Sequence, residues 1–127
     1  MDKKELSQIR LRNALECLDD AETLLRMGSL KSAANRAYYA AFHAMRAVLA
    51  LDDVDMRHHS GVIAEFRRLY IKTGIFPTEL SAIISGLFNI RSESDYDDLY
   101  LATAETVALH VQKAKQFVSA VNTYLNQ

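Results

Sequence analysis

The chain has little that would interrupt a helix. Its 127 residues include one proline, Pro77, and four glycines, too few turn-formers for a fold of many short strands. Tryptophan is absent and cysteine occurs once, at Cys17, so no disulfide can close within the chain. Neither a charged-then-apolar leader nor an unbroken apolar run of about 18 residues is present, and a soluble cytoplasmic protein is expected, with no membrane contact. A formal net charge of −1 gives no overall attraction for a polyanion, so any such contact has to come from a local patch.

What remains is helix-forming material. Half of the residues are apolar, and the length suits one core and hence a single domain over residues 1–127. The expected fold class is all-α, a bundle of long helices joined by short turns. Cys17 falls among Ala14, Leu18 and Ala21 on one helical face, which marks it as a buried structural thiol.

Apolar residues at three- and four-residue steps predict a first helix over Lys4–Met27, stopped by Gly28. Ser29 can cap a second helix over Leu30–Leu51, and the short link makes the two antiparallel neighbours. A third helix of about 13 residues is expected between a Ser60 cap and Gly74, with Arg67, Arg68 and Lys72 on a solvated outer side. Pro77 opens a fourth helix reaching toward Asn89, and a fifth runs from Thr103 to the C-terminus. The acidic stretch at 93–98 fits either helix or loop.

The second helix carries three faces. Ala34, Ala37, Ala41 and Ala44 allow a neighbour to come close, and Tyr38, Phe42, Met45 and Leu49 form a bulky stripe. Arg36, Tyr39, His43 and Arg46 share the third. Arg36 and His43 are seven residues apart, about 10 Å along the axis, which is too far for a dyad but near enough to line one cleft. Two readings compete for this face: rings buried with their polar tips handed to neighbours, or a ligand-binding surface. Arg91 and Asp95 pose the same choice between an i,i+4 ion pair and a site. His58 and His59 lack a neighbouring cysteine or spaced carboxylate, so no metal site is expected there, and His110 reads as a packed or surface histidine.

Three segments, NRAYYAAFHAMRAVL, RHHSGVIAEFRRLYIKTG and LFNIRSESDYDD, occur in that order. Together they resemble the HEPN family of small helical domains, in particular its short stand-alone prokaryotic members, over roughly Lys4 to Leu125. The resemblance implies an up-and-down bundle of four to five helices that dimerises, and a place in a toxin–antitoxin pair whose other member is a minimal nucleotidyltransferase. It further implies binding of RNA or a nucleotide, and in the ribonuclease members a metal-independent endoribonuclease that needs no cofactor. Those members carry an arginine, four to six other residues, and then a histidine. The arginine offsets charge developing on the phosphorus, and the histidine moves the proton of the attacking 2′-hydroxyl.

Here the corresponding run is Arg91, Ser92, Glu93, Ser94, Asp95, Tyr96, with tyrosine in the histidine position. A phenol is ionised only about one part in a thousand at neutral pH, which makes Tyr96 a poor base. The resemblance therefore implies a catalytic set of Arg91, Asp95 and Tyr96 with a degenerate motif. The ligand-binding set adds Asn35, Arg36, Tyr39, His43 and His59 to Arg91, with His43, His59 or Asn35 able to supply what Tyr96 does not. The alternative is a non-catalytic dimeric module that binds the nucleotidyltransferase and accepts a nucleotidyl group on a tyrosine.

Overall fold

The computed structural model describes residues 1–127. Five α-helices follow one another, with no strand: α1 Lys3–Arg26, α2 Leu30–Ala50, α3 His59–Phe66, α4 Thr78–Tyr96 and α5 Ala104–Leu125. No helix is long and apolar enough to cross a membrane.

Helix α2 is the axis of the bundle and touches each of the other four. Its alanines explain why. Ala33, Ala34, Ala37, Ala40, Ala41, Ala44 and Ala47 are at most 1% exposed, and side chains this short let backbones approach. The Ser7 hydroxyl of α1 donates to the Ala47 carbonyl at 2.7 Å, a contact that joins the start of α1 to the end of α2 and sets them antiparallel. Arg10, also buried, donates to the Arg46 carbonyl at 3.1 Å and to Asp55 at 2.8 Å, which ties the α2–α3 loop down onto α1. Asp55 is held below the usual carboxylate range by Arg10 and then Arg46.

Gly28 and Gly74 take the left-handed backbone, at φ 77° and 81°, and stop their helices as glycine in that conformation does. Asp2 and Thr103 cap α1 and α5 through their side chains. Two expected caps differ. Ser29 holds the cap position of α2 without a side-chain bond, and α3 starts at His59, with His58 rather than Ser60 before it.

Two elements run differently from their expected course. After Phe66, α3 widens into a π-helical turn, Arg67–Ile71. Helix α4 passes Asn89 and continues to Tyr96. Its buried positions, Leu80, Ile83, Ile84, Leu87, Ile90 and Ser94, keep three- and four-residue spacing into the polar segment, and an i,i+4 ion pair between Arg91 and Asp95 supports the last turns. Residues 93–96 are therefore helix. Phe66, Tyr70, Phe76, Phe117 and Tyr124 pack ring against ring and anchor the end of α3 to α5.

Candidate functional site

Arg91 stands at the centre of the polar contacts between α4 and α2. The buried stripe of α4 presses Ile90 into the core and leaves Arg91 at its margin, facing the two adjacent tyrosines of α2. Its side chain is 12% exposed. The guanidinium carbon lies 5.4 Å from the ring centres of both Tyr38 and Tyr39 and 5.3 Å from that of Tyr96, within reach of cation–π attraction. Nη2 donates to the hydroxyls of Tyr39, at 3.2 Å, and Tyr96, at 3.3 Å. Nε is 3.0 Å from Asp95 Oδ2, an ion pair without the alignment of a hydrogen bond. Nη1 makes no hydrogen bond within the protein.

Asp95 passes the connection back to α2. Asn35 Nδ2 donates to Asp95 Oδ2 at 2.9 Å, and Arg36 donates to Asn35 Oδ1 through Nε at 3.0 Å and Nη2 at 2.7 Å. The Arg36 guanidinium carbon lies 5.0 Å from the Tyr39 ring centre. Arg36 and Arg91 thus converge on the one Asn35–Asp95 link.

His59 enters from the third side. The α2–α3 loop returns the chain so that the first turn of α3 abuts the middle of α2, with the His59 ring 4.5 Å from Phe42 and 5.5 Å from Tyr38 between centres. The Tyr38 hydroxyl pairs with His59 Nδ1 at 3.0 Å, which satisfies a phenol that is only 1% exposed. Burial pushes the Tyr38 phenol up to about 12, against the pull of Arg91. Burial and then Arg91 hold the His59 imidazole below its ordinary value, so it is neutral near neutral pH. Its Nε2 has no partner in the protein.

The residues border two openings. One, of about 720 Å³, lies between α3 and α4 and is lined by His59, Ser60, Arg67, Phe88, Asn89 and Arg91 among others. The second, of about 420 Å³, is bordered by Lys31, Ser32, Asn35, Arg36 and Asp95. The Arg91–Asp95–Asn35 connection stands between them.

Of the residues expected at a site, Asn35, Arg36, Tyr39, Arg91, Asp95 and Tyr96 form one continuous set, and His59 reaches it through Tyr38. Tyr96 is 73% exposed, at the end of α4. His43 borders neither opening. Its ring packs on Tyr39 and Phe42, its Nδ1 is buried without a partner, and burial followed by Arg46, Arg36 and Arg10 lowers its pKa.

Sequence reasoning missed two members. Tyr38 reads as packing, and only its pairing with a second tyrosine hints at more. Arg67 reads as a solvated cation, yet its Nη2 donates to the Ser81 carbonyl at 3.1 Å and to Ser85 Oγ at 2.7 Å, because it follows Ile63 by four residues and shares the helix face that borders α4. Arg68 and Lys72 do face outward, and Arg68 pairs with Glu65 at 2.8 Å.

The comparisons with known proteins agree with one another. The HEPN domain model matches residues 7–124. A UPF0332 protein of Thermotoga maritima is 38% identical over 120 residues, covering 94% of this chain and 91% of its own length. A protein of Methanocaldococcus jannaschii named "Putative toxin MJ0142" is 28% identical over 97% of this chain and 83% of its own. Among solved structures, that of TT1696 from Thermus thermophilus superposes with a TM-score of 0.79 at 18% identity, over 92% of this chain and 96% of that one. The likeness to TT1696 is one of fold.

Proposed function

The chain belongs to the HEPN domain family, and from that premise we propose that it is the toxin-type member of a paired system, binding RNA or a nucleotide through Arg91. The observation that carries this reading is the state of Arg91. Three aromatic rings and Asp95 hold its guanidinium nearly buried at the edge of a cleft, while Nη1 keeps a free donor for a phosphate oxygen. Charge-assisted bonds of that kind are the strong ones. A relative that bears a toxin name and matches most of this chain supports the biological role.

His59 extends the reading toward chemistry. It borders the same cleft as Arg91, is neutral near pH 7, and its Nε2 is free. With Nδ1–H donated to the Tyr38 oxygen, Nε2 is an acceptor able to take the proton of a 2′-hydroxyl; with the Tyr38 hydroxyl donating, Nε2–H can protonate the leaving oxygen. The pairing with Tyr38 thus serves either half of a metal-independent RNA cleavage. Single-turnover cleavage of a structured RNA in excess EDTA, with mapped ends, tests it. Activity lost in His59→Ala and Arg91→Ala but kept in Arg68→Ala is expected, and cleavage that persists in the first two variants counts against the assignment.

A second reading has its own observation. Tyr96 is largely exposed at the end of a helix, where a minimal nucleotidyltransferase could reach its hydroxyl. Incubation with such a partner and nucleoside triphosphate, followed by peptide mass spectrometry, decides whether Tyr96 gains a nucleotidyl group; an unmodified Tyr96 removes this alternative. In either reading the chain acts as a homodimer.

A further inference from the structure

Arg67 borders the α3–α4 cleft from the helix opposite Arg91. Its Nη2 is held by the Ser81 carbonyl and by Ser85 Oγ, and its Nε is buried without a partner. Its Nη1, like that of Arg91, makes no hydrogen bond within the protein. Two oriented guanidinium groups therefore offer free donors to one cleft. Their separation follows from α4. The Arg67 guanidinium is docked on Ser85, and Ser85 lies six residues before Arg91, about 9 Å of helix rise. One phosphate cannot bridge that distance, but two successive phosphates of an extended strand can.

The wall between them is not charged. Phe88 sits on α4 between Ser85 and Arg91, packs edge-on with Tyr38 at 5.8 Å between ring centres, and leaves 38% of its surface open where it borders the cleft. Alternating cations and an aromatic platform are how proteins hold unpaired nucleotides, and a cleft of about 720 Å³ is of the size that takes a short ligand. We infer that Arg67 is a second phosphate-binding residue, and that the cleft takes single-stranded RNA across two consecutive phosphodiesters, one at Arg91 and one at Arg67, with the intervening base on Phe88. This rests on the RNA reading of Arg91 and adds to it the minimal length and strandedness of the ligand.

The test compares 2′-O-methylated UpU, which has one phosphodiester, with UpUpU, which has two, by isothermal titration calorimetry over a range of salt. The wild-type protein binds UpUpU more tightly. Arg67→Gln keeps an amide to meet Ser85 while removing the charge. It should weaken UpUpU about tenfold and UpU no more than twofold, and lower the salt slope for UpUpU by about 0.7, the value for one phosphate contact on a single strand. Arg91→Ala should weaken both ligands.

Arg67→Gln binding UpUpU as the wild type does, or weakening both ligands equally, overturns the second phosphate site while leaving Arg91 its role. Wild-type protein that binds neither ligand overturns the RNA reading itself, and the inference with it. Should Arg67→Gln fail to fold, Ser85→Ala takes its place: loss confined to UpUpU supports the site, and unchanged binding refutes it.

Discussion

The Tyr38 hydroxyl and His59 Nδ1, 3.0 Å apart, bind the first turn of α3 to the middle of α2 through two groups that both prefer to stay uncharged there. Burial raises the phenol and lowers the imidazole. Tyr38→Phe keeps the ring and removes the bond, and is expected to cost about 1 kcal/mol of stability, the usual net worth of one hydrogen bond. Urea unfolding at pH 7 reads the difference, and a variant as stable as the wild type would mean that the pair contributes nothing to holding α3.

A pH dependence follows from the same direction of shift. His59 and His43 both titrate below their ordinary 6.5. Between that value and the folded-state pKa, the unfolded chain binds more protons, so stability rises with pH through the window and is lost as the pH falls into it from above. Melting between pH 7.5 and 5 should show this decline, and the double substitution His43→Gln, His59→Gln should flatten it. An unchanged slope in the double variant would assign the decline to other groups.

Ala41 is 1% exposed on the helix that touches all the others. Ala41→Leu should destabilise the protein by roughly 1–3 kcal/mol, the range for overpacking a well-filled core, seen as a lower melting temperature. A parent-like melt would show that the bundle opens at this point to admit three more carbons.

Arg91→Ala should weaken binding of RNA or nucleotide by about 1.5–3 kcal/mol, the scale of a charged hydrogen bond, whereas Arg68→Ala, whose guanidinium is exposed and paired with Glu65, should leave it unchanged. Because Arg91 also meets Asp95 and three rings, some loss of thermal stability accompanies its removal. Tyr96→His places an imidazole beside Arg91 and should create or raise cleavage of RNA in EDTA. No gain of cleavage in a folded Tyr96→His protein would show that more than the motif base is missing.

Sedimentation equilibrium at micromolar concentration should return about 28 kDa, twice the 14.3 kDa of one chain. A strictly monomeric species removes the dimer from both functional readings.

The helices were legible because their signals are local: alanine and bulky stripes at helical spacing in α2, glycines where the backbone turns left-handed, and a shortage of residues that break helices. Arg91 stood out as the one cation in an acidic run, and Asp95 and Tyr96 joined it through the resemblance to the HEPN motif. What escaped depends on tertiary contact. Nothing local tells that Tyr38 finds a histidine 21 residues away, or that α4 continues past Asn89 because Ile90 and Ser94 have a core to enter. The π-helical turn has no composition of its own, and although Arg67 follows the apolar Ile63 at helical spacing, its partners Ser81 and Ser85 belong to another helix.

That turn also makes the chain unequal in its tolerance to gain and to loss of length. A π-helical turn holds one residue more than the α-helical turn it stands in for, so removing a single residue within Arg67–Ile71 lets the helix close into α register with both flanks still in phase. An added residue has no such outlet: it turns one flank by about 100° against the other, so that either Arg67 leaves Ser85 or Tyr70 leaves the rings of Phe66 and Phe76. Exposed residues such as Arg68 and Lys72 can be exchanged, and one of them lost, where an insertion should be rejected.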